Sequence, residues 1–585
     1  MPSPPRSSAT NGPSLTEVVE AQLGDPRNPD SVLSFAYSQQ IDESEQFPEL
    51  AVRWLYDRQL CRHFVPQELG GAFHSFEELA ELIRVLSRRD LTTSIAFSTL
   101  FWSFLTWMDG TEEQKKWLAD YILRQHGAMC LAYSEKDHGA DLLAGATIAE
   151  PTPGGFMVTG EKWPINRATI SGLCFLLATT DRSAGPRGLS LFMVDKGKLD
   201  PRRYHNLPKI LTHGLRGSDV SGIAFDKCSI PADSLLGGTG LGLETALKGF
   251  QVTRTLCAAF SLGAGDTALR TTLEFAQQRT LYNELVVELP HASSVLSDAF
   301  LDLLICDCVT ISGLRAFHAV PGQISVWSAV VKYFVPTTIE AMIQNLSVVM
   351  GARYYMRNEH EWGTFQRVLR DAAIISVFDG STVVNLHALL LQFRNLARRS
   401  STDSVQEATL RQIYHLQHPL APFKSQNLSL ASRHGNAAMN GLPLTLKYLR
   451  SLNGIDNVEQ SELDEILAIG ERLAHEISAF HAALSETKFE HGHRQSPAAF
   501  RTARTYCGLH AAACCLHMWA WNHADSSNFI SGGKWLLPAL KRLFEVYLGI
   551  TDIEFPGTAT EVIAEELRNC HNENRMFSLR ACRLG

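Results

Sequence analysis

The apolar residues of this 585-residue chain change their spacing twice, from a helical period to a strand-like one and back, and that order constrains its fold more than any other feature. From Ser31 to about Tyr121 the period is helical: EQFPELAVRWLYDRQLCRHFV repeats apolar residues at three and four, and SFEELAELIRVLSRRD does so again. Short punctuation separates these helices, notably PQELGG at Pro66–Gly71 and DGTEEQKKWL at Asp109–Leu118, where Thr111 is a predicted cap with Glu113 and Gln114 in the first turn. Around Met129 the pattern shortens. Cys130–Ser134, Gly155–Thr159, Leu173–Thr179, Leu189–Asp195 and Val220–Asp226 are β-branched or aromatic segments bounded by Gly, Pro, Asp and Asn, so a small β domain is expected up to about Ser234. From Gly240 to about Ser400 the helical period returns with long apolar faces and few prolines. After the polar stretch Ala397–Val405, further helices are expected near Gly435–Leu452, Ser461–Ser485, Pro497–Asn522 and Gly533–Ile550. The expected division is a disordered leader at 1–30, a helical domain at 31–127, a β domain at 128–236, a helical bundle at 237–400 and an extra helical domain at 401–585.

Charge and cysteine usage narrow the function. The 53 Lys and Arg against 61 Asp and Glu give a net charge of -8, so a phosphate backbone finds no global attraction and no nucleic-acid partner is expected. Twelve scattered cysteines without metal-ligand spacing are expected to be reduced, in a cytoplasmic setting. The N-terminus MPSPPRSSATNGPS lacks the basic and apolar runs of a secretory signal, and apolar stretches such as Ile170–Ala178 and Leu301–Ile311 fall short of the roughly 20 residues that span a bilayer. No transmembrane segment is expected. His475, His481, His491 and His493 lie in one stretch without a matching carboxylate or cysteine set, so a solvated or interface helix is preferred to a metal site.

Three segments could carry chemistry, each with a structural alternative. In AYSEKDHGADLLAG the hydroxyls of Tyr133 and Ser134 and the backbone N–H groups near Gly139 and Ala140 could hold a planar polar ligand or a phosphate; the alternative is a tight turn with Asp141 as a helix cap. In GEKWPINRATISG, Trp163 offers an aromatic face and Asn166 an amide to a flavin or nucleotide, and a buried tryptophan at a strand end is equally a core residue. In LRDAAIISVFDGSTVVNLHALL, Asp379 precedes Gly380 and a helix starting at Ser381 and Thr382, which suits either a helix-start acid or a general base beside a glycine that leaves room for substrate.

Taken in order, these motifs resemble the acyl-CoA dehydrogenase family over roughly Glu43 to Arg398. The family's Thr/Ser–Glu–turn–Gly–Ser–Asp signature appears as Ser134-Glu135-Lys136-Asp137-His138-Gly139-Ala140-Asp141, and its Gly-x-Lys-aromatic signature as Gly160-Glu161-Lys162-Trp163. KILTHGLRGSDVSGIAFDKCSIPADSLLG at Lys209–Gly237 resembles the passage into the third domain, and EFAQQRTLY the dimer-interface arginine segment. The resemblance implies an α+β fold: an N-terminal helical domain, a β-barrel-like middle domain, a C-terminal four-helix bundle and, here, an additional helical domain. It implies FAD as cofactor, with Tyr133, Ser134, Gly139, Ala140, Trp163, Asn166, Val348, Gly351 and Ser381 in its binding and Arg279 reaching the pyrophosphate of a neighbouring subunit's FAD.

The departures fall at the reacting centre. The usual glutamate after a tyrosine is replaced by Asp379 after Phe378, and the position one helix earlier, near Thr253, holds no carboxylate either. Pro164 stands at the flavin tryptophan position beside Trp163, and Val348 and Ala352 replace a glutamine and a glycine over the partner's adenosine. The implied activity is 2,3-dehydrogenation of an acyl thioester on CoA or a carrier protein. Asp379 would take the α-proton, hydride would pass to flavin N5, and Arg254 would have a substrate or local-network role. An electron-transfer flavoprotein is the implied electron acceptor, and a homodimer or dimer of dimers the implied assembly. An oxygen-using oxidase of the same fold and a non-enzymatic scaffold are the alternatives.

Overall fold

The computed structural model describes all residues except 1–12, 400–404, 453, 456–457, 491, 493, 525–528, 552–558 and 581. Part of the expected leader, part of the polar stretch at 397–405, and His491 and His493 therefore lie outside the described residues.

Seven helices form the first layer: α1 (Leu15–Leu23), α2 (Phe35–Ser44), α3 (Glu49–Asp57), α4 (Phe76–Arg89), α5 (Leu91–Phe97), α6 (Ser103–Asp109) and α7 (Glu112–Leu123). Their starts are written in the sequence: Thr111 and Gln114 exchange hydrogen bonds as a capping box on α7, and Ser75 and Asp90 cap α4 and α5. α1, inside the stretch expected to be a leader, is anchored by Glu20, which is fully buried and bonded to Arg88 and Arg89. Burial pushes the Glu20 carboxyl up, and the two guanidinium groups more than offset it, so its pKa lies below the ordinary value. A lowered acid contributes stability above its unfolded pKa of about 4.3 and loses it as pH falls through the folded value. Unfolding free energies of the wild type and Glu20→Gln, separated at neutral pH, are therefore expected to converge on acid titration.

The second layer is a mixed sheet of β1 (Met129–Ala132), β2 (Ile148–Thr152), β3 (Gly155–Asn166), β4 (Leu173–Thr179), β5 (Leu189–Asp195), β6 (Tyr204–Leu207), β7 (Val220–Pro231) and β8 (Leu235–Leu236). The order is β6-β7-β3-β2-β4-β5-β8, with β1 pairing parallel to β4 off that path. The barrel-like expectation is thus corrected: the sheet is open, with β6 and β8 as unjoined edges. Closure needs a continuous, consistently staggered ladder. Here β8 offers two residues, and β2 meets β4 through the single pair Ile148 and Thr179.

The third layer contains α8 (Gly242–Gln278), α9 (Pro290–Ala319), α10 (Ile324–Met350), α11 (His360–Ala372) and α12 (Thr382–Leu390); a short hairpin, β9 (Thr280–Leu281) and β10 (Glu284–Leu285), follows α8. Two glycines set how closely the long helices approach. A Cβ on Gly265 would lie 3.0–3.1 Å from Leu303, Ile339 and Met342, and one on Gly313 would lie 2.7 Å from Val331 and 3.6 Å from Thr255. These contacts make α8 and α10 parallel neighbours, with α9 antiparallel to both.

The remaining helices are α13 (Phe393–Arg399), α14 (Glu407–Tyr414), α15 (Ala437–Asn440), α16 (Leu442–Arg450), α17 (Gln460–Glu486), α18 (Pro497–Ala520), α19 (Leu536–Leu543) and α20 (Ala559–Asn572). They are bonded into the bundle. Buried Arg315 on α9 donates to Glu77 at 2.8 Å and to the carbonyls of Ile413, His415 and His418 at 2.8–3.0 Å. Arg542 forks onto Asp302 at 2.6 and 2.7 Å. The chain then returns to the first layer: Phe577 N–H donates to Asp266 and Leu579 N–H to Asp307, while Arg84 on α4 bonds Asp307 at 2.6 Å and the Phe577 carbonyl at 2.9 Å. Among the described residues no helix is long and apolar enough to cross a membrane, and no group of three His, Cys, Asp or Glu is placed to hold a metal.

Candidate active site

Two strand-end loops of the sheet are stitched together by one ion pair. Glu135 follows β1, and its carboxylate accepts from Ala146 N–H at 2.6 Å, from Thr147 N–H at 3.0 Å and from Lys162 of β3 at 2.8 Å. Burial raises the Glu135 pKa, but the ammonium and the backbone donors bring it down to about 2. Trp163 N–H donates to the Ser134 carbonyl at 2.9 Å, so Ser134 and Trp163 are held side by side. The turn after them is closed by reciprocal backbone bonds between Glu135 and His138, and Asp141 pairs with the His138 ring at 3.0 Å instead of capping a helix. Gly139 and Ala140 are exposed, and Asn166 is half-buried at the end of β3.

Across the seam stands the acid. Asp379 adopts a left-handed backbone, φ 57, and Gly380 follows at φ 100. Non-glycine residues are uncommon there, although aspartate tolerates the region better than most, and such strain persists only where the surroundings hold it. Arg254 on α8 does so: its Nε donates to the Asp379 carbonyl at 2.9 Å while its guanidinium stacks 4.9 Å above Phe250. Cys257, one turn on, brings its Sγ to 3.9 Å from the carboxylate, and burial pushes this thiol to about 12, so it stays neutral. Burial raises the Asp379 pKa, with the Lys332 ammonium opposing the shift most strongly and Thr253, Arg254 and Cys257 adding to that opposition. Ser381 caps α12 through Val384 N–H, and the Asn385 amide donates to the Gly380 and Ser381 carbonyls at 2.8 and 2.9 Å.

Gly380 is the residue that lets Arg254 approach. An added Cβ would lie 2.8 Å from both Nε and Nη2 of Arg254. Gly380→Ala is expected to cost about 1–3 kcal/mol in backbone strain and to displace Asp379, measured by urea unfolding together with turnover.

Phe250 links the two halves, since its ring meets Tyr133 edge-on at 5.7 Å. The Tyr133 hydroxyl is buried and lacks a hydrogen-bond partner, a cost that a ligand in the seam would relieve. Tyr133, Ser134, Trp163, Arg254 and Asp379 are thus assembled around one seam between sheet and bundle. Arg279, Val348 and Gly351 are not: Arg279 is exposed at the far end of α8, and Val348 and Gly351 are exposed at the matching end of α10. At 1.5 Å per residue, Arg279 lies about 37 Å along the helix from Arg254.

Sequence reasoning left Glu135 and Lys162 without roles although both were within the quoted motifs. Lys332 was missed altogether. Its signal is that ISVWSAVVKYFVPTTI, residues 324–339, contains one charge in an otherwise apolar helix.

A strained acid faces an orphaned tyrosine hydroxyl across a sheet–bundle seam, which leaves a polar atom for a bound ligand to satisfy. Three domain families match in sequence: acyl-CoA dehydrogenase N-terminal domain at 35–125, middle domain at 130–228 and C-terminal domain at 240–390, together more than half of the chain. The chain belongs to the acyl-CoA dehydrogenase family, enzymes that use FAD to desaturate acyl-CoA. It is 24% identical over 348 residues to the short-chain specific acyl-CoA dehydrogenase of Sus scrofa mitochondria, a match covering 59% of this chain and 82% of that protein. It is 25% identical over 368 residues to the mitochondrial isovaleryl-CoA dehydrogenase of Solanum tuberosum, covering 61% and 87%. The FAD-complexed acyl-CoA dehydrogenase of Bacillus anthracis shares the fold over 96% of this chain and 95% of its own, with a TM-score of 0.69 at 14% identity, extension included. The cytoplasmic expectation is corrected by the mitochondrial relatives. The twelve cysteines are buried and free, and core packing explains their reduced state without reference to a compartment.

Proposed function

We propose that Asp379 is the general base of an acyl-thioester 2,3-dehydrogenation carried out in the seam between sheet and bundle. The supporting observation is that a half-buried carboxylate is fixed in a strained turn by a bond from Arg254 to its main-chain carbonyl, which, among the described residues, leaves the carboxylate oxygens clear of a contact ion pair. Bound FAD supplies the hydride acceptor. Tyr133, Ser134, Gly139, Ala140, Trp163, Asn166 and Ser381 are the proposed cofactor contacts of the same subunit.

Asp379 takes the α-proton at its carboxylate, and its own N–H, without an acceptor among the described residues, polarises the thioester carbonyl. Phe250 and Phe378, stacked against the Arg254 guanidinium and the Lys332 ammonium, line the acid's surroundings with aromatic rings. Because burial raises the Asp379 pKa, kcat/KM is expected to increase with pH through a midpoint above the usual aspartate value of about 3.9, read from a pH–rate profile.

Arg279, Val348 and Gly351 stand too far from Asp379 to serve its flavin, which supports their acting on the cofactor of a second copy. The exposed Tyr282, Val348 and Tyr355 at that end of the bundle fit a homodimer contact. An acyl-CoA or acyl-carrier substrate and an electron-transfer flavoprotein acceptor complete the proposal. Anaerobic addition of a panel of acyl-CoAs and carrier-bound acyl groups tests it: the flavin spectrum is expected to bleach, and a flavin that stays oxidised throughout overturns the thioester assignment. Reoxidation of the bleached protein in air within seconds would show an oxidase instead.

A further inference from the structure

One buried cation borders the Asp379 turn and takes no part in the chemistry described above. Lys332 lies on α10 with no exposed surface. Its Nζ donates to the main-chain carbonyl of Ile375 and stands 4.7 Å over the Phe378 ring. Among the described residues it forms no contact ion pair; burial lowers its pKa, the Arg254 guanidinium adds to that, and the Asp379 carboxylate is the opposing charge. A buried ammonium without an opposing charge drifts toward its neutral form, so a lysine kept here needs one.

Asp379 is faced from every side by identifiable groups. From α8 come Thr253, Arg254 and Cys257; from α10 comes Lys332; from the end of β1 comes Tyr133. Two of these are cations, and they are used alike. Arg254 donates to the Asp379 carbonyl and Lys332 to the Ile375 carbonyl, so both anchor on the main chain of one five-residue turn. Each leaves its positive charge near the carboxylate without capturing a carboxylate oxygen. A contact salt bridge would tie down an oxygen that proton abstraction requires, whereas bare burial would leave the acid protonated at neutral pH.

We propose that Lys332 is a positioning residue for the reaction: it staples the 375–379 turn to α10 and supplies the through-space positive charge that keeps Asp379 ionised without an ion-pair contact to its oxygens. This rests on Asp379 being the base.

The test reads the acid directly, without a substrate. In the FAD-bound protein, the infrared carbonyl band of a protonated carboxyl that disappears in Asp379→Asn reports Asp379, and its midpoint is followed across pH. Lys332→Gln, which keeps a donor for Ile375 and drops the charge, is expected to raise that midpoint by about one pH unit or more, and Lys332→Arg to leave it within about half a unit. An unchanged midpoint in Lys332→Gln, or an Asp379 band absent from both proteins across the whole range, overturns the proposal. Turnover by Asp379→Asn would sink the base assignment while leaving the titration result standing. If Lys332→Gln does not fold, the Asp379→Asn/Lys332→Met double variant decides. Coupled charges make it melt at a higher temperature than Asp379→Asn alone, and a further fall in melting temperature would reduce Lys332 to a structural prop.

Discussion

Asp379→Asn is expected to remain yellow and folded and to lose substrate-dependent bleaching, with turnover down by about 10²–10⁴-fold, the usual contribution of a positioned general base. The substitution preserves shape, and its main-chain carbonyl still accepts from Arg254, so the turn at φ 57 should survive. What is lost is the proton acceptor. The visible spectrum separates these effects, because flavin retention reports the site and bleaching reports the chemistry. Normal bleaching by the variant would remove Asp379 from the mechanism. Asp379→Glu adds a methylene and advances the carboxylate; a placement change near 1 Å is worth on the order of a hundredfold in rate, so a gain would show that the aspartate is fitted to an unusual substrate position and a loss that the turn is built for the shorter chain.

The largest structural effect is expected at Glu135. Its carboxylate joins Lys162, Ala146 and Thr147, all at 2.6–3.0 Å, and its pKa near 2 records how strongly these partners favour the charged form. Glu135→Ala leaves two N–H groups without acceptors and a buried ammonium with the Tyr133 carbonyl but no opposing charge, and breaking a buried pair in this way costs about 3–5 kcal/mol. That is a large fraction of the roughly 5–15 kcal/mol that holds a typical domain folded. Urea unfolding should show the loss at neutral pH, and the difference from wild type should shrink as pH falls from about 4.3 toward 2, where the native carboxylate itself protonates. Flavin lost on gel filtration at neutral pH would show that the pair also holds Ser134 against Trp163. A Glu135→Leu/Lys162→Met variant, which removes both charges, should recover much of the stability.

The sequence showed the layers because periodicity survives any particular packing. β4 and β5 were legible to the residue, being apolar runs flanked by turns, and the Thr111 cap was legible because a capping box is a local pattern. β2 and β6 were not: TIAEPT carries a proline and YHNL is polar, and both are strands only because β3 and β7 supply their partners. Sheet closure was also out of reach, since whether two edges meet is decided by register and strand length. At the site, motif residues marked Ser134, Trp163 and Asp379, but Arg254's bond to the Asp379 carbonyl and the approach of Lys332 are contacts across more than forty positions, which spacing does not record. Asp141 does stand at the start of a short helical turn, Leu142–Ala144, but its side chain pairs with His138 three residues away instead of capping it.

The return of residues 577–579 to α4, α8 and α9 bears on how this protein comes to exist as well as on how it is held. Asp266 and Asp307 sit in the bundle and take main-chain donors from Phe577 and Leu579, partners 311 and 272 positions downstream, and Arg84 reaches the Phe577 carbonyl across 493. Contacts of such separation are slow to form, and during synthesis at about 5–20 residues per second the bundle waits tens of seconds for them. In that interval two interior carboxylates lack part of their final bonding and the surface that the late segment covers is open. The nascent chain should therefore engage holding chaperones until residue 579 has emerged, and a ribosome stalled before that point should present a protease-sensitive bundle.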